Sequence, residues 1–121
     1  MIKLSLPFPP SVNHYWGQFG NRRFIGKKGK EFRQAVAEAC LEGEVQALEG
    51  PLSIHISLFP PDKRSRDIDN VVKPLLDAME HAGCFENDNQ IAELHIMRKD
   101  VFKGGSCVVL LLPITLHKPP A

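Results

Sequence analysis

The chain has 121 residues, of which 43% are hydrophobic and 24% charged, a composition typical of one ordinary globular domain and unlike that of a disordered or fibrous protein. No apolar run is long enough to cross a membrane, and three cysteines without paired spacing argue against both a disulfide framework and a zinc cluster. The formal net charge is only +1, but the basic residues are concentrated in particular segments, so we predict a single cytoplasmic domain over residues 1–121 with locally basic surfaces.

The first predicted element is a strand at the N-terminus. Hydrophobic residues alternate with more polar ones from Ile2 to Phe8, which is the period-two pattern of a strand with one buried face, and several prolines end it. Residues 11–26 are rich in glycine, asparagine and aromatic side chains. We interpret this segment as a long connection.

Helices and a strand alternate in the middle of the chain. Apolar residues recur at spacings of three and four over residues 29–48, which predicts an amphipathic helix that a Gly-Pro pair ends. Alternation over residues 52–58 predicts a second strand. Helical spacing returns over residues 69–82, where Pro74 indicates an irregular first turn.

The C-terminal part is predicted to form a β-hairpin. Residues 91–99 and 106–115 have the pattern of strands, and a turn containing Gly104 and Gly105 separates them. The resulting order, β-α-β-α-β-β, predicts an α+β fold: a two-layer sandwich of a four-stranded, mainly antiparallel or mixed sheet with two helices on one face. The other face of the sheet is predicted to be polar and to meet water, a partner subunit or a ligand.

The most informative segment is a basic stretch that contains two aspartates, Asp67 and Asp69. It lies between the second strand and the second helix, and side chains two residues apart on an extended backbone point the same way. Both carboxylates can therefore converge on one cation, and such hard oxygen ligands suit Mg²⁺. Without a cation, two neighbouring carboxylates raise each other's pKa, and the basic residues around them would compensate.

Structural roles also explain these residues, and an Asp-x-Asp motif in a basic loop, considered alone, is more often structural than catalytic. Asp69 is a suitable helix N-cap, and Asp67 is a suitable surface partner for Arg64 or Arg66. Asp69 and Lys73 also have the four-residue spacing of an ordinary helix ion pair.

A second acidic turn follows the second helix. Asp88 stands between Asn87 and Asn89, a pattern that is also typical of a turn held by side-chain hydrogen bonds to its own backbone. Whether this turn lies near Asp67 depends on the strand order, which the pattern of residues leaves open.

Three segments together resemble one family, the RusA-type Holliday junction resolvases. The family's catalytic signature, R-D-x-D-N-x-x-K, is matched by Arg66-Asp67-Ile68-Asp69-Asn70-Val71-Val72-Lys73. Its N-terminal P-P-S-x-N segment is similar to Pro9-Pro10-Ser11-Val12-Asn13, and its late acidic turn is similar to Asn87-Asp88-Asn89-Gln90-Ile91. The segments occur in the family's order through most of the chain.

The resemblance implies a metal-dependent nuclease. It implies that Asp67, Asp69 and Asp88 bind Mg²⁺, with Mn²⁺ able to substitute, and that Lys73 is the active-site lysine. Some relatives carry a second acid where this chain has Asn87, and Glu86 is a partial substitute. The family is homodimeric and nicks two strands of a four-way DNA junction symmetrically, so we expect the same here, with no organic cofactor and no membrane partner.

Further DNA contacts are expected from basic and aromatic residues. Cations beside aromatic rings suit phosphates and unstacked bases, and the N-terminus of a helix attracts anions. The alternative for the two aromatic residues is that they anchor the loop on the core or fill a dimer interface. The candidates are Asn13, Tyr15, Trp16, Arg22, Arg23, Lys27, Lys28, Lys30, Lys63, Arg64 and Arg66.

Three other functions are consistent with the same residues. The first is a metal-dependent nuclease that acts on other branched or single-stranded nucleic acid. The second is a non-catalytic, junction-binding dimer with a decayed site, and the third is a structural dimer whose acidic loops only cap helices.

Overall fold

A mixed four-stranded sheet forms the centre of the computed structural model, which describes residues 1–116 and 118–120. Short 3₁₀ turns at Ile68–Val71 and Asp88–Gln90 precede the third helix and the fifth strand. In chain order the other elements are β1 (Ile2–Leu6), α1 (Val12–Tyr15), β2 (Trp16–Phe19), β3 (Arg22–Ile25), α2 (Lys27–Glu42), β4 (Leu52–Phe59), α3 (Val72–His81), β5 (Ile91–Arg98) and β6 (Ser106–Pro113).

The strand order in the main sheet is β1-β6-β4-β5. β6 runs antiparallel to both β1 and β4, whereas β4 and β5 are parallel and are joined through α3. The prediction of an α+β fold with a mixed four-stranded sheet is thereby confirmed.

The predicted hairpin between the last two strands is wrong, because β4 lies between β5 and β6. β6 is apolar almost throughout and occupies a central position, while β5 carries Glu93, His95 and Arg98 and lies at an edge. The connection between them crosses the end of β4, where Lys99 N–H donates to the Leu58 carbonyl at 2.7 Å. Composition along the two strands thus accounts for their order.

Gly105 allows this connection to pack closely behind the segment that follows β1. Its φ is +76°, and a Cβ atom at this position would lie 2.8 Å from the Cβ of Phe8 and 3.3 Å from Pro61. The glycine pair predicted to make a hairpin turn therefore serves a crossing connection instead.

α2 is shorter at its C-terminal end than the predicted helix over residues 29–48. It ends at Glu42, followed by Gly43, and Glu44 has a positive φ of 51°. The chain then turns back so that Leu48 N–H donates to the Cys84 carbonyl at 3.0 Å. Ala47 belongs to this return segment and not to the helix.

α3 begins as irregularly as the sequence predicts. The 3₁₀ turn at Ile68–Val71 leads directly into Val72–His81, and Pro74 lies in the first turn of α3, where its missing N–H is tolerated.

Residues 11–26 contain more regular structure than a connection. They form α1 and a small hairpin, β2–β3, in which Trp16 is paired with Ile25 and Phe19 with Arg22. Gly20 takes a φ of +60° in the tight turn between the strands.

The core lies on one face of the main sheet. Side chains that alternate along β1, β4 and β6 are buried there, and α2 packs against both α3 and β1. The opposite face is less polar than predicted, because Val108, Leu110 and Leu112 lie half-buried beside the stacked rings of His55 and His95. Within the part of the chain that the structure describes, no helix is long and apolar enough to span a membrane.

Candidate active site

Asp67 and Asp69 lie at the start of the 3₁₀ turn that leads into α3. Asp67 has an extended backbone, with φ −79° and ψ 128°, and its carbonyl accepts a hydrogen bond from Asn70 N–H at 3.1 Å. Both side chains are exposed, and within residues 1–116 and 118–120 neither carboxylate has a hydrogen-bond or ion-pair partner. The described residues therefore contain none of the structural alternatives. The 3₁₀ turn has no side-chain N-cap, and no ion pair joins either aspartate to Arg64, Arg66 or Lys73.

Arg64 and Arg66 pair instead with an aspartate that the sequence did not single out. Asp62 Oδ1 lies 2.8 Å from Arg66 Nη1, and Asp62 Oδ2 lies 3.0 Å from Arg64 Nη2. The hydrogen bonds from Arg66 and then from Arg64 hold the pKa of Asp62 well below its usual value. Nothing in the local sequence distinguishes Asp62 from Asp67 as the arginine partner; the path of the loop decides it.

The two arginines differ in how firmly they are held. Arg66 also has its own carbonyl bound by Arg98 Nη2 at 2.6 Å, and its side chain is 26% exposed. The side chain of Arg64 is 81% exposed, and among residues 1–116 and 118–120 it is paired only with Asp62. Arg64 is therefore the more available of the two for a phosphate.

The turn that carries Asp88 is fixed by its neighbours. Glu80 of α3 accepts a hydrogen bond from Asp88 N–H at 2.6 Å, and Asn87 Oδ1 accepts one from Asn89 N–H at 2.9 Å. Gln90 bridges two segments: its Oε1 accepts from Asn87 N–H at 3.1 Å, and its Nε2 donates to the Gly50 carbonyl at 2.9 Å. These contacts set the position of Asp88 relative to α3.

Lys73 joins the two acidic segments. Its Nζ lies 2.6 Å from Asp88 Oδ2, across 15 residues of sequence, and the side chains of Lys73 and Asp88 are 58% and 28% exposed. Glu80, seven residues after Lys73, lies two helical turns further along the same face of α3. This seven-residue spacing is the feature of the sequence from which the contact of Glu80 with the Asp88 turn could have been predicted.

The three aspartates do not form a preassembled metal site. Asp67 follows the C-terminal end of β4 and Asp88 precedes the N-terminal end of β5, so their segments leave opposite ends of a parallel strand pair. Among the residues that the structure describes, no three acidic, histidine or cysteine side chains lie close enough together to hold a metal ion. The donor chemistry nevertheless fits Mg²⁺, because the site offers carboxylate oxygens and two of the three carboxylates have no partner in the part of the chain that the structure describes.

Tyr15, one of the predicted DNA contacts, is not at the surface of the chain. It is fully buried, and its hydroxyl donates to Asp77 Oδ2 while accepting from Arg33 Nε at 2.8 Å. Burial and the bond to Asp77 raise the pKa of Tyr15. Burial opposes ionisation of Asp77 as well, but the bonds from Tyr15 and Arg33 outweigh it and lower the pKa of Asp77. Tyr15 therefore fits the alternative interpretation, in which it anchors the loop on the core.

The other predicted DNA contacts lie at or near the surface. Trp16 is half-buried, with the Arg23 guanidinium 4.0 Å from its ring centroid. The remaining candidates are exposed and lie on α1, β3, the first turns of α2 and the loop after β4: Asn13, Arg22, Lys27, Lys28, Lys30 and Lys63.

Comparison with known proteins identifies the family. A family model described as endodeoxyribonuclease RusA matches residues 7–108, a span that includes the acidic loop, Lys73 and the Asp88 turn. The chain belongs to the RusA family. It is thus an enzyme that acts on DNA, and the resemblance seen in the sequence motifs is confirmed.

Several RusA relatives match most of this chain. The crossover junction endodeoxyribonuclease of Enterobacteria phage HK97 is 36% identical over 101 residues, which cover 83% of this chain and 84% of the relative. The protein of the same name from Escherichia coli K12 is 33% identical over 103 residues, covering 84% and 86%. That of Enterobacteria phage 82 is 35% identical over 104 residues, with the same shares covered.

Proposed function

We propose that this chain is a Mg²⁺-dependent endodeoxyribonuclease that resolves four-way DNA junctions by paired symmetric nicks in recombination and repair. One observation carries the proposal: Asp67 and Asp69 are exposed carboxylates without a partner among the described residues, and the same helix start presents Lys73 to Asp88. The names of the relatives, crossover junction endodeoxyribonucleases, support the junction as the substrate.

The residues proposed to hold the metal are Asp67, Asp69 and Asp88. When bound, Mg²⁺ or a substituting Mn²⁺ would supply Lewis-acid polarisation of the phosphate and an activated water. Asp67 and Asp69 are free to bind without breaking any contact of the described chain. Asp88 already has Lys73 as its counter-charge, so binding by Asp88 requires this pair to rearrange.

Lys73 is proposed to stabilise the negative charge that develops on the phosphate or the leaving oxygen. Its ammonium group lies at the proposed site, 2.6 Å from Asp88 Oδ2. When Asp88 binds the metal, the ammonium leaves this pair and is available to the phosphate, where a positive charge already present at the site lowers the barrier. Arg64 is proposed to contact the phosphate backbone nearby, because it is the less constrained arginine of the loop.

A homodimer follows from the proposed reaction. Two symmetric nicks require two active sites related by a two-fold axis, and such dimers are the commonest oligomers. We expect sedimentation equilibrium to give twice the 13.5 kDa mass of one chain. A monomer that still makes paired nicks would contradict this part of the proposal.

The substitution Asp69→Asn tests the metal site. The carboxylate is exposed and has no partner among the described residues, so the fold and junction binding are expected to be unchanged. Cleavage should fall by more than about 100-fold, because even the residues that only orient metal ligands are worth about 10–100-fold. The assay is cleavage of a synthetic mobile four-way junction, with and without Mg²⁺, followed by strand mapping.

Asp100→Asn is the matched control, since Asp100 is exposed and lies after β5, outside the proposed site. Full Mg²⁺-dependent cleavage by the Asp69 variant would refute the assignment. Forked and linear DNA in the same assay distinguish a junction resolvase from a nuclease with another branched or single-stranded substrate.

A further inference from the structure

A cavity of about 530 Å³ opens beside Asp67 and is large enough for a small-molecule ligand. One wall is apolar and comes from the segment after β1, where Phe8, Pro9 and Pro10 face the cavity. The loop that carries the basic residues of the acidic motif also lines the cavity. The cavity therefore adjoins the proposed active site but extends beyond it.

The polar lining of this cavity carries two exposed cations, Lys28 and Arg64, together with Arg66 and the carboxylate of Asp67. Lys28, in the first turn of α2, is exposed, and within the described residues it has no acidic partner. Arg64 reaches the cavity from the loop, and His14 lies at its edge with Nδ1 2.9 Å from Ser11 Oγ. An apolar wall and two exposed cations in one cavity match the two parts of a nucleotide, a flat base and a phosphate.

Asp62 binds both arginines of the loop, but the two differ in how available they are to a ligand. Arg66 is bound to both oxygens of Asp62 and its guanidinium lies 5.8 Å from the Phe8 ring centroid, so it forms part of the cavity wall beside Phe8. Arg64 is bound to the same carboxylate but is far more exposed, and an incoming phosphate can compete for it. The arrangement leaves Arg64 and Lys28 as the groups that bind the phosphate.

We propose that this cavity holds one unpaired deoxynucleotide of the DNA strand that the active site cuts, with its base against Phe8-Pro9-Pro10 and its phosphate on Lys28 and Arg64. The assignment to the cut strand rests on the proposed function, because Asp67 lines both places. A base must leave its stack to enter, which is easiest where pairing is already interrupted. The cavity thus gives a physical reason for preferring a branch point to continuous duplex.

The first test uses free nucleotides and does not depend on cleavage. The whole chain, labelled with ¹⁵N, is titrated with each deoxynucleoside 5′-monophosphate and, separately, with inorganic phosphate. We expect saturable amide shifts at Ser11, His14, Lys28 and Ser65 with nucleotides, and smaller shifts confined to Lys28 and Arg64 with phosphate. Equal shifts from phosphate alone, or none from any nucleotide, would overturn the proposal.

Two variants probe the cavity in the same titration. Ser65→Trp places a large ring at an exposed cavity position and should abolish the nucleotide shifts. Lys28→Ala should weaken nucleotide binding about 10-fold, the usual value of one charge-assisted hydrogen bond. Leu41→Trp, at the far end of α2 where the side chain is already 80% exposed, is the control for added bulk and should bind as the parent chain does.

A junction experiment separates this proposal from the proposed function. 2-Aminopurine is placed in turn at each position around the mapped cut site, and its fluorescence is measured in EDTA so that no strand is cut. We expect emission to rise at one position with the parent chain and with Leu41→Trp, but not with Ser65→Trp.

Cleavage of the junction with no change in emission, and with Ser65→Trp cutting as the parent does, would overturn the nucleotide site alone. Saturable nucleotide binding in a chain that does not cut junctions would support the site and refute the proposed function.

Discussion

The close contact between Lys73 and Asp88 allows a catalytic role of Lys73 to be distinguished from a structural one. The side chains are 58% and 28% exposed, and ion pairs of such exposure contribute only about 0–1 kcal/mol to stability. A group that stabilises charge in a transition state is worth far more to the reaction than this. Stability and activity should therefore respond very differently to its removal.

The substitution Lys73→Met makes this a measurement. We expect the free energy of unfolding to change by less than about 1 kcal/mol, while junction cleavage falls by about 100-fold or more, as when one preorganised donor is removed. Urea unfolding and single-turnover cleavage give the two values. Lys99→Met, exposed and after β5, is the control. A loss of activity no larger than expected from a loss of folded protein would assign the lysine a structural role.

A second prediction at this scale concerns acid stability. The pKa of Asp77 is lowered in the folded chain by Tyr15 and Arg33, against the opposing effect of burial. A carboxyl whose folded pKa lies below its unfolded value stabilises the fold at pH values above the unfolded pKa, about 3.9, and this contribution is lost as the pH falls through the folded pKa.

Asp77→Asn should remove that part of the acid dependence. It also leaves Arg33 without its ion-pair partner, so we expect a loss of about 1–3 kcal/mol at neutral pH that narrows on acidification. Thermal unfolding of both chains from neutral pH down to about pH 3 measures it. Parallel pH profiles for the two chains would show that Asp77 is not the titrating group.

At the scale of secondary structure, the sequence predicted what depends on local periodicity. β1, β4 and the irregular start of α3 follow from alternation, helical spacing and the position of Pro74. The hairpin β2–β3 was missed because its strands are four residues long and barely alternate, although Gly20-Asn21 is a recognised two-residue turn signal. The predicted position of β6, next to β5, was wrong because strand order depends on contacts between segments that are distant in the sequence.

The same distinction applies to the site. The acidic motif was recognisable because its residues are consecutive, as was the Asp88 turn through its family pattern. The ion-pair partners of these residues were not predictable from the sequence. Arg64 and Arg66 pair with Asp62, and Lys73 pairs with Asp88, because of the paths that the two loops take in the fold. The buried position of Tyr15 likewise depends on α2 and α3 meeting over it.

Gly29 gives a prediction at this scale. In an exposed helix, alanine is usually better than glycine by about 1 kcal/mol. Here a Cβ at residue 29 would lie 2.2 Å from the Tyr15 carbonyl oxygen, which is backbone and cannot easily move. We therefore expect Gly29→Ala to destabilise the chain by about 1–3 kcal/mol in urea unfolding. Glu31→Ala, exposed in the same helix, should be close to neutral, and a stabilised Gly29 variant would show that α1 does not pack on α2 as described.

The whole molecule has a net charge of only +1, so DNA binding must depend on where the cations lie. Exposed lysines and arginines lie on β3, at the start of α2 and in the loop after β4, and two of them, Lys28 and Arg64, line the same cavity as Asp67. Each phosphate contact made by such a cation releases counterions, and the logarithm of the binding constant falls with the logarithm of salt by about 0.9 per contact. Binding to a junction should accordingly weaken steeply with salt.

Two charge reversals distinguish the local patch from total charge. Lys30→Glu and Lys3→Glu each remove two units of charge and change the net charge from +1 to −1. Lys30 lies in the first turns of α2, where a glutamate also suits the helix dipole, and Lys3 is exposed on β1 at an edge of the sheet. If the patch binds DNA, Lys30→Glu should lower the salt slope by about 1 and Lys3→Glu should leave it unchanged. Equal effects of the two variants, measured by fluorescence anisotropy over a range of salt concentrations, would mean that net charge alone governs binding.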